Sequence, residues 1–315
     1  MNSKDKKKCI VFGGGGFIGS HLSEELVDKG YDVTVFDKLY FNKSNLSPLL
    51  NKIRIIEGDF NNEIDLKESI KGQDIVFHLV SSTLPANSND NPVYDIQTNL
   101  ISSLLLFDEC IKNNVKKTIF ISSGGTIYGI PEKLPVKETH SLHPICSYGI
   151  IKKTIEDYLF MFNKIYGLEY NVFRLSNPYG ERQNPFVAQG VIPVFLRKII
   201  KNEKIEIWGD GEVTRDYIYI KDAVELIVKS INMNSSSKVF NLSSSIGYSL
   251  NQIISIIKNI TKVNPEVIHK KGRDIDVPVS ILDNSLAVET FNWHPVTDIK
   301  IGIENTYNYL KKVIK

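Results

Sequence analysis

Tyr148 and Lys152 stand four residues apart in Ser147-Tyr148-Gly149-Ile150-Ile151-Lys152, at the start of an apolar stretch with helical periodicity. Residues i and i+4 meet on one helix face, so the spacing sets a phenol beside an ammonium. A tyrosine ionises near pH ~10 and is a poor base at neutral pH. A neighbouring cation favours the phenolate, and a phenolate can take a proton from a hydroxyl. On its own the pair is also what a surface Tyr and Lys on an amphipathic helix look like. Only the residues upstream separate the two readings.

The segment Gly13-Gly14-Gly15-Gly16-Phe17-Ile18-Gly19 follows the apolar run Cys9–Phe12 and opens a helical pattern from about 17 to 29, with Gly30 as its stop. Glycines between a strand and a helix let the backbone approach a pyrophosphate, and the first helical amides carry positive partial charge. Both GxGxxG from Gly14 and GxxGxxG from Gly13 can be read. Asp37 ends the second apolar run, 18 positions after Gly19. A carboxylate there accepts from the adenosine ribose hydroxyls and repels a 2′-phosphate, so NAD is expected over NADP, although Lys38 is its neighbour. A third strand, 53–57, runs into Gly58-Asp59. Asp59 could accept from an adenine amino group or close a turn, and spacing leaves both open.

These residues need elements to position them. Strands are predicted at 74–79 and 117–121, separated by the polar loop 81–91 and a helix starting after Pro92 that contains Asn99. The last strand opens into Ser122-Ser123-Gly124-Gly125-Thr126-Ile127-Tyr128-Gly129. Strands alternating with helices specify an α/β fold with a doubly wound parallel sheet, the Rossmann fold, whose ligands bind at the carboxyl ends of the strands. The hydroxyls of Ser122, Ser123 and Thr126 are expected there, with turn formation as their ordinary alternative. A strand at 169–175 leads to Asn177-Pro178-Tyr179-Gly180, and from Gln189 the alternation lapses. Residues 1–180 are therefore expected to form a dinucleotide-binding domain, to which later segments return, and 181–315 a smaller α/β substrate domain.

A chain of 315 residues with 42% hydrophobic content can bury a large core. The formal net charge of +2 provides no long-range field for nucleic acid or a membrane surface, so neither is an expected partner. No apolar run reaches bilayer-spanning length, none resembles a signal-peptide core, and a cytoplasmic protein is expected. Cys9, Cys110 and Cys146 are odd in number and scattered, which suits neither a disulfide framework nor a zinc site. No metal is expected.

Taken together, the glycine motif, Gly58-Asp59, His78-Leu79, the Ser-Ser-Gly-Gly-Thr-Ile-Tyr-Gly segment and Tyr148-x-x-x-Lys152 resemble the extended short-chain dehydrogenase/reductase family. Within it the chain is similar to the NAD-dependent sugar-nucleotide epimerases and dehydratases, most of all to UDP-hexose 4-epimerases of polysaccharide pathways. The likeness runs from about Lys8 to Tyr307. It implies that Gly13, Gly16, Phe17, Ile18, Gly19, Asp37, Asp59, Phe60, Leu79, Ser81, Asn99 and Ser122 hold NAD together with Tyr148 and Lys152. It assigns the nucleotide sugar to Thr83, Asn177, Arg215, Arg273, Asp276 and Ser280. Guanidinium forks match phosphate oxygens, which makes Arg215 and Arg273 diphosphate ligands, with a salt bridge to Asp216 the plain alternative for Arg215. A homodimer through the helices beginning near Pro92 and Ser147 is also implied.

The implied reaction removes the 4-hydroxyl proton through Tyr148 while hydride leaves C4, then returns the hydride to the opposite face of a rotated 4-ketose. Where many relatives carry the relay Ser or Thr, this chain has Gly124, so Thr126 or Ser123 must supply that hydroxyl, with Thr126 preferred. Related 4,6-dehydratases place an Asp-Glu pair where this chain has Gly125-Thr126, which counts against elimination chemistry. Ser280 falls where the epimerases carry either a Tyr or a small residue facing the sugar C2 substituent, so UDP-GlcNAc and UDP-GalNAc are expected to be accepted, alongside UDP-Glc and UDP-Gal. A nucleotide-sugar 4-dehydrogenase or dehydratase, with GDP or dTDP as the carrier, and a non-catalytic NAD-binding regulator remain as alternatives.

Overall fold

The computed structural model describes residues 6–187, 189–233, 235, 238–272 and 277–314. The predicted strands are present as β1 (Lys8–Phe12), β2 (Asp32–Asp37), β3 (Arg54–Glu57), β4 (Ile75–His78), β5 (Lys117–Ser123) and β6 (Tyr170–Leu175), joined by β10 (Val239–Leu242). They form one seven-stranded sheet in the order β10-β6-β5-β4-β1-β2-β3. The pairs β1–β2, β2–β3, β1–β4 and β4–β5 are parallel. Strands covered on both faces lose the polar alternation of a half-exposed strand, which is why residues 9–12 and 75–78 are apolar almost throughout and buried. The chain runs outward from β1 through β2 to β3 and then crosses to β4. The carboxyl ends of β1 and β4 therefore flank the switch point at which such sheets bind ligands.

Helices α1 (Phe17–Asp28), α2 (Glu63–Ile70) and α5 (Ser147–Tyr166) pack on this sheet. Phe12, Phe36, Phe60, Phe107 and Phe120 share one buried cluster with Ile151, Ile155 and Leu159 of α5. The helix expected after Pro92 begins at that residue, capped by Asn91, whose side chain accepts from Tyr94 N at 3.0 Å. It is not one regular helix. A short α3 (Pro92–Asp95) widens into a π-helical stretch, Ile96–Ile101, before α4 (Ser102–Lys112). Asn99 lies in the widened stretch and is turned inward, 5% exposed. β5 also runs two residues further than expected, so Ser122 and Ser123 extend the strand instead of forming a turn.

α5 is anchored from inside by charge. Arg174 of β6 donates to both carboxylate oxygens of Glu156 and, through Nη1, to the Tyr128 hydroxyl at 3.0 Å. Buried charges persist only when paired and hydrogen-bonded, and this pair is both. Gly167, with φ +72°, ends the helix in the left-handed conformation that favours glycine.

The chain divides into two units at other points than residue 180. The first comprises 1–129, 141–174 and 224–240; the second comprises 130–140, 175–223 and 241–315. The division falls at the end of β6 because the next strand, β7 (Asn177–Tyr179), pairs with β9 (Thr214–Tyr219) of the second unit. That smaller sheet also takes β11 (Gly247–Ser249) and β13 (Val279–Ser280) onto β9. β8 (Ile205–Trp208) and β12 (Val267–Lys270) form a separate parallel pair. Helices α6 (Val191–Ile200), α8 (Leu250–Thr261), α9 (Ser285–Phe291) and α10 (Ile299–Val313) complete the unit, and α7 (Ile220–Lys229) leads the chain back to the first. No helix among the described residues is long and apolar enough to cross a membrane.

Candidate active site

In the first unit the glycine segment turns sharply out of β1. Gly13 has φ +82° and donates to Phe36 O at 2.8 Å, and Gly16 caps α1 with no side chain on its first amides. A Cβ at Gly19 would strike the Gly13 carbonyl and Gly14 Cα. Gly13 is special for its positive φ, and Gly14 and Gly19 for the close packing that a Cβ would break, so glycines of both readings are structurally required. The carboxylate of Asp37 accepts from Gly15 N at 2.8 Å and Lys38 N at 2.9 Å, and burial holds its pKa above the usual carboxylate range. Asn45 and Phe41, which the sequence reading passed over, cover the same turn. Asn45 Nδ2 reaches Gly15 O at 3.3 Å, and a Cβ on Gly15 would meet the Phe41 ring.

Other expected cofactor residues fall into two groups. Phe17 and Ile18 are half-exposed in the first turn of α1, and Leu79 N donates to Phe12 O at the end of β4. Phe60 instead packs inward, its ring 5.8 Å from Phe12 and 5.2 Å from His78. Asp59 closes a turn, its Oδ1 accepting from both nitrogens of Asn61. Asn99 accepts from Ser82 N and donates to Asp95, and Ser81 Oγ donates to Thr83 O. Thr83 is 7% exposed and gives its hydroxyl hydrogen to Asp95 at 2.7 Å. A dinucleotide fits these residues. The cradle excludes Cβ atoms where a pyrophosphate needs bare backbone, the helix start is uncapped, and Ser122 Oγ is buried with no partner.

Tyr148 and Lys152 occupy the first turns of α5, as their spacing predicts. Lys152 is 4% exposed, donates to Ile121 O at 2.9 Å, and lies 4.6 Å from the Phe120 ring centroid and 5.6 Å from that of Tyr148. Burial pulls its pKa down to about 8, opposed by the charges of Glu156 and Asp95. Burial also pushes the Tyr148 phenol well above its ordinary value, and the nearby negative charge of Asp95 adds to the effect. The ammonium expected beside Tyr148 is in place, and burial of the phenol opposes the ionisation that it favours. Thr126 Oγ1 donates to Ser123 Oγ at 2.8 Å, so the two candidate relay hydroxyls form one hydrogen-bonded pair.

The second unit carries a cavity of about 270 Å³. Asn177, Ile192, Pro193, Trp208, Arg215 and Tyr217 are among its lining residues. Arg215 Nη1 is held by the carbonyls of Val277 at 2.6 Å and Thr214 at 2.9 Å. The carboxylate of Asp216 is 1% exposed and accepts from Ser244, Ser245 and Leu282, while its backbone carbonyl fixes Asn177 Nδ2 at 2.9 Å. Tyr217 Oη is buried in the lining with no partner among the described residues, a polar atom that a ligand can satisfy. Ser280 is 7% exposed and lies opposite Arg215 in the β9–β13 register. Arg273 and Asp276 lie outside the described residues.

Residues 9–243 match the sequence model of the NAD dependent epimerase/dehydratase family. The chain belongs to that family. NAD is accordingly its cofactor. It is 36% identical over 304 residues to a protein of Methanocaldococcus jannaschii named a putative UDP-glucose 4-epimerase, covering 96% of this chain and 98% of that one. The UDP-glucose 4-epimerase of Thermotoga maritima, solved with UDP-glucose, superposes with a TM-score of 0.92 at 37% identity, over 98% of this chain and all of that one (100%). A UDP-N-acetylglucosamine 4-epimerase from Methanobrevibacter ruminantium, in complex with UDP-N-acetylmuramic acid, gives 0.93 at 32% identity, over 98% and 99%. Other curated family relatives are named as a reductase and as decarboxylases.

The buried ammonium makes a stability prediction. Below about pH 8 Lys152 is charged in both folded and unfolded chains, and the folded state bears the full desolvation cost. As pH rises from about 8 towards 10.5 the folded chain loses the proton first, and the cost is relieved. In NAD-free protein, Lys152→Met should therefore raise stability at pH 7 by about 1–2 kcal/mol, the gain being reduced by an unpaired Ile121 carbonyl. Urea melts of both proteins at pH 7 and above pH 10 check this, because the difference must shrink at the higher pH. A variant less stable than the parent at pH 7 contradicts the account.

Proposed function

We propose that the protein interconverts the C4 epimers of a UDP-hexose, with UDP-GlcNAc and UDP-GalNAc among its substrates. The observation that carries the reading is Tyr148 and Lys152 on one helix face, close to the carboxyl ends of β4 and β5 through His78 and Ile121. Bound NAD supplies a positive charge, a hydride acceptor for C4 and the hydride returned to it. Lys152, fixed by the Ile121 carbonyl, then helps hold the Tyr148 oxygen as the acceptor of the 4-hydroxyl proton. The Ser123–Thr126 pair supports a short proton relay to that oxygen, and Thr126, whose hydroxyl donates to Ser123, keeps its lone pairs for an incoming donor. Proton and hydride leave together and come back together, so no redox equivalent is consumed. The absence of acidic side chains at Gly125-Thr126 favours epimerisation over dehydration.

In the second unit, Asn177 and Arg215 are the groups we assign to the diphosphate, and the cavity between α6 and β8 to the nucleoside, with Trp208 presenting a partly exposed ring. The outward apolar side chains of Val93, Ile96 and Ile101 around α3, and of Ile150 and Phe160 on α5, support a homodimer through these helices. Sedimentation equilibrium should find two copies, and Ile150→Asp should return them to monomers. A monomeric parent protein would remove the dimer from the reading.

Purified protein given UDP-GlcNAc in D₂O, with no added cofactor, should yield UDP-GalNAc without deuterium on the sugar ring, read by NMR. Tyr148→Phe should slow this by ~10²–10⁴-fold. A 4-keto product, or deuterium at C5, would move the protein to dehydrogenase or dehydratase chemistry. We assign Ser280, the register partner of Arg215, to the side of the sugar C2 substituent, so Ser280→Tyr should cost the acetamido substrate ~10-fold or more in kcat/KM while sparing UDP-Glc. Equal loss on both substrates would refute the assignment.

A further inference from the structure

The carboxyl group of Asp95 is fully buried at 0% exposure and has three hydrogen-bond donors and no described cationic partner within salt-bridge distance. Thr83 Oγ1 and Asn99 Nδ2 donate to Oδ1 at 2.7 and 2.8 Å, and Ser147 Oγ donates to Oδ2 at 2.6 Å. The partners come from three places in the first unit: the loop after β4, the π-helical stretch, and the first residue of α5. The same ends are tied a second time, since Ser147 N donates to Asn89 at 2.8 Å and Ser82 N to Asn99 at 2.8 Å. The three contacts supply the buried carboxyl group with hydrogen-bond partners drawn from three separate segments. A buried carboxylate compensated by neutral donors alone is costly, and such groups concentrate at functional sites.

We propose that Asp95 is the positioning residue of the catalytic helix: it pins Ser147 to the loop after β4, and so fixes the place of the Tyr148 phenol one residue further on. Regular helix geometry carries the constraint to Lys152 one turn later. Its negative charge has a second effect, because Asp95 stands among the groups that face both reactive side chains. Around Tyr148 these are Lys152 on its own helix, Cys146 in the preceding loop, and Asp95; around Lys152 they are Glu156, itself paired with Arg174, Asp95, and His78 of β4, which burial keeps neutral. Asp95 raises the affinity of both Tyr148 and Lys152 for their protons. It thereby keeps Lys152 an ammonium against its burial and makes ionisation of Tyr148 depend on charge arriving from outside.

The kinetic part of this inference rests on the epimerase reading, and the structural part does not. Asp95→Asn keeps the shape but turns one acceptor into a donor facing a donor. It should lower kcat ~10–100-fold with KM changed less than ~3-fold, as a small displacement of a reacting group does. The ascending limb of its kcat/KM profile should move to lower pH, because one negative charge near Tyr148 has gone. Ser147→Ala removes the tether but not the charge, so kcat should fall with the limb unmoved, and this variant serves if Asp95→Asn does not fold. Hydrogen exchange on the full-length NAD complex should quicken at the amides of 147–151 in both variants, with those of β5 unchanged. Unchanged exchange at 147–151, or activity lost only in proportion to unfolded protein with an unshifted profile in Asp95→Asn, overturns the proposal. If the parent protein turns over no UDP-hexose, the epimerase reading falls, and the exchange measurement still decides the tether.

Discussion

The burial of one ammonium organises the catalytic half of this molecule. Lys152 lies under α5 against the Phe120 ring and the Ile121 carbonyl, at the carboxyl end of β5. Putting a cation there is costly, and its pKa is drawn down to about 8 as a result. Every neighbouring polar contact answers to that cost. Glu156, one turn further along, is paired with Arg174, which also donates to the Tyr128 hydroxyl, and Asp95 lends its charge from the end of α3. The helix that carries Tyr148 is consequently held at both of its early turns by buried polar groups.

The second unit uses the same device with the opposite sign. Asp216 is buried in β9, yet its carboxylate is not spent on the adjacent cavity. It gathers Ser244, Ser245 and Leu282, and its backbone carbonyl orients Asn177. Arg215, the next residue along a strand whose side chains alternate, points the other way and lines the cavity. An Arg-Asp dipeptide in a central strand thus separates a ligand-facing guanidinium from a structural carboxylate by one step of the pleat. The diphosphate charge that we assign to this unit would meet Arg215 without a buried carboxylate on the same face.

The epimerisation we propose needs a site that keeps its reacting groups rigid while the sugar turns, and the two buried networks supply that rigidity on each unit. Tyr148 and Lys152 depend on the helix start, the glycine loop on close packing around Gly19, and Arg215 on two backbone carbonyls. The reacting pair sits on a helix and the guanidinium on a strand, and loop residues help to fix both. Rigid elements hold reacting groups more precisely than loops do, which is what a mechanism that moves one proton and one hydride in both directions needs.

Local patterns were enough to read β1 to β6, the glycine turn, the place of Asp37 at the end of β2 and the Tyr148–Lys152 pair, because each depends on spacing along a single element, whereas β10 was not anticipated. A period of 3.6 places i and i+4 together wherever the helix ends up, and a strand covered on both faces has to be apolar. Buried long-range contacts were not legible. The sequence separates Asp95 from Ser147 by 52 positions, and nothing in either residue type announces that one hydroxyl will meet one carboxylate. The direction of the Tyr148 pKa was likewise decided by the tertiary structure, since desolvation depends on everything packed around the phenol. The unit boundary moved for a related reason. Residues 175–179 continue directly from β6, but hydrogen bonding to β9 transfers them to the second unit, and strand pairing between distant segments is a property of the folded chain alone.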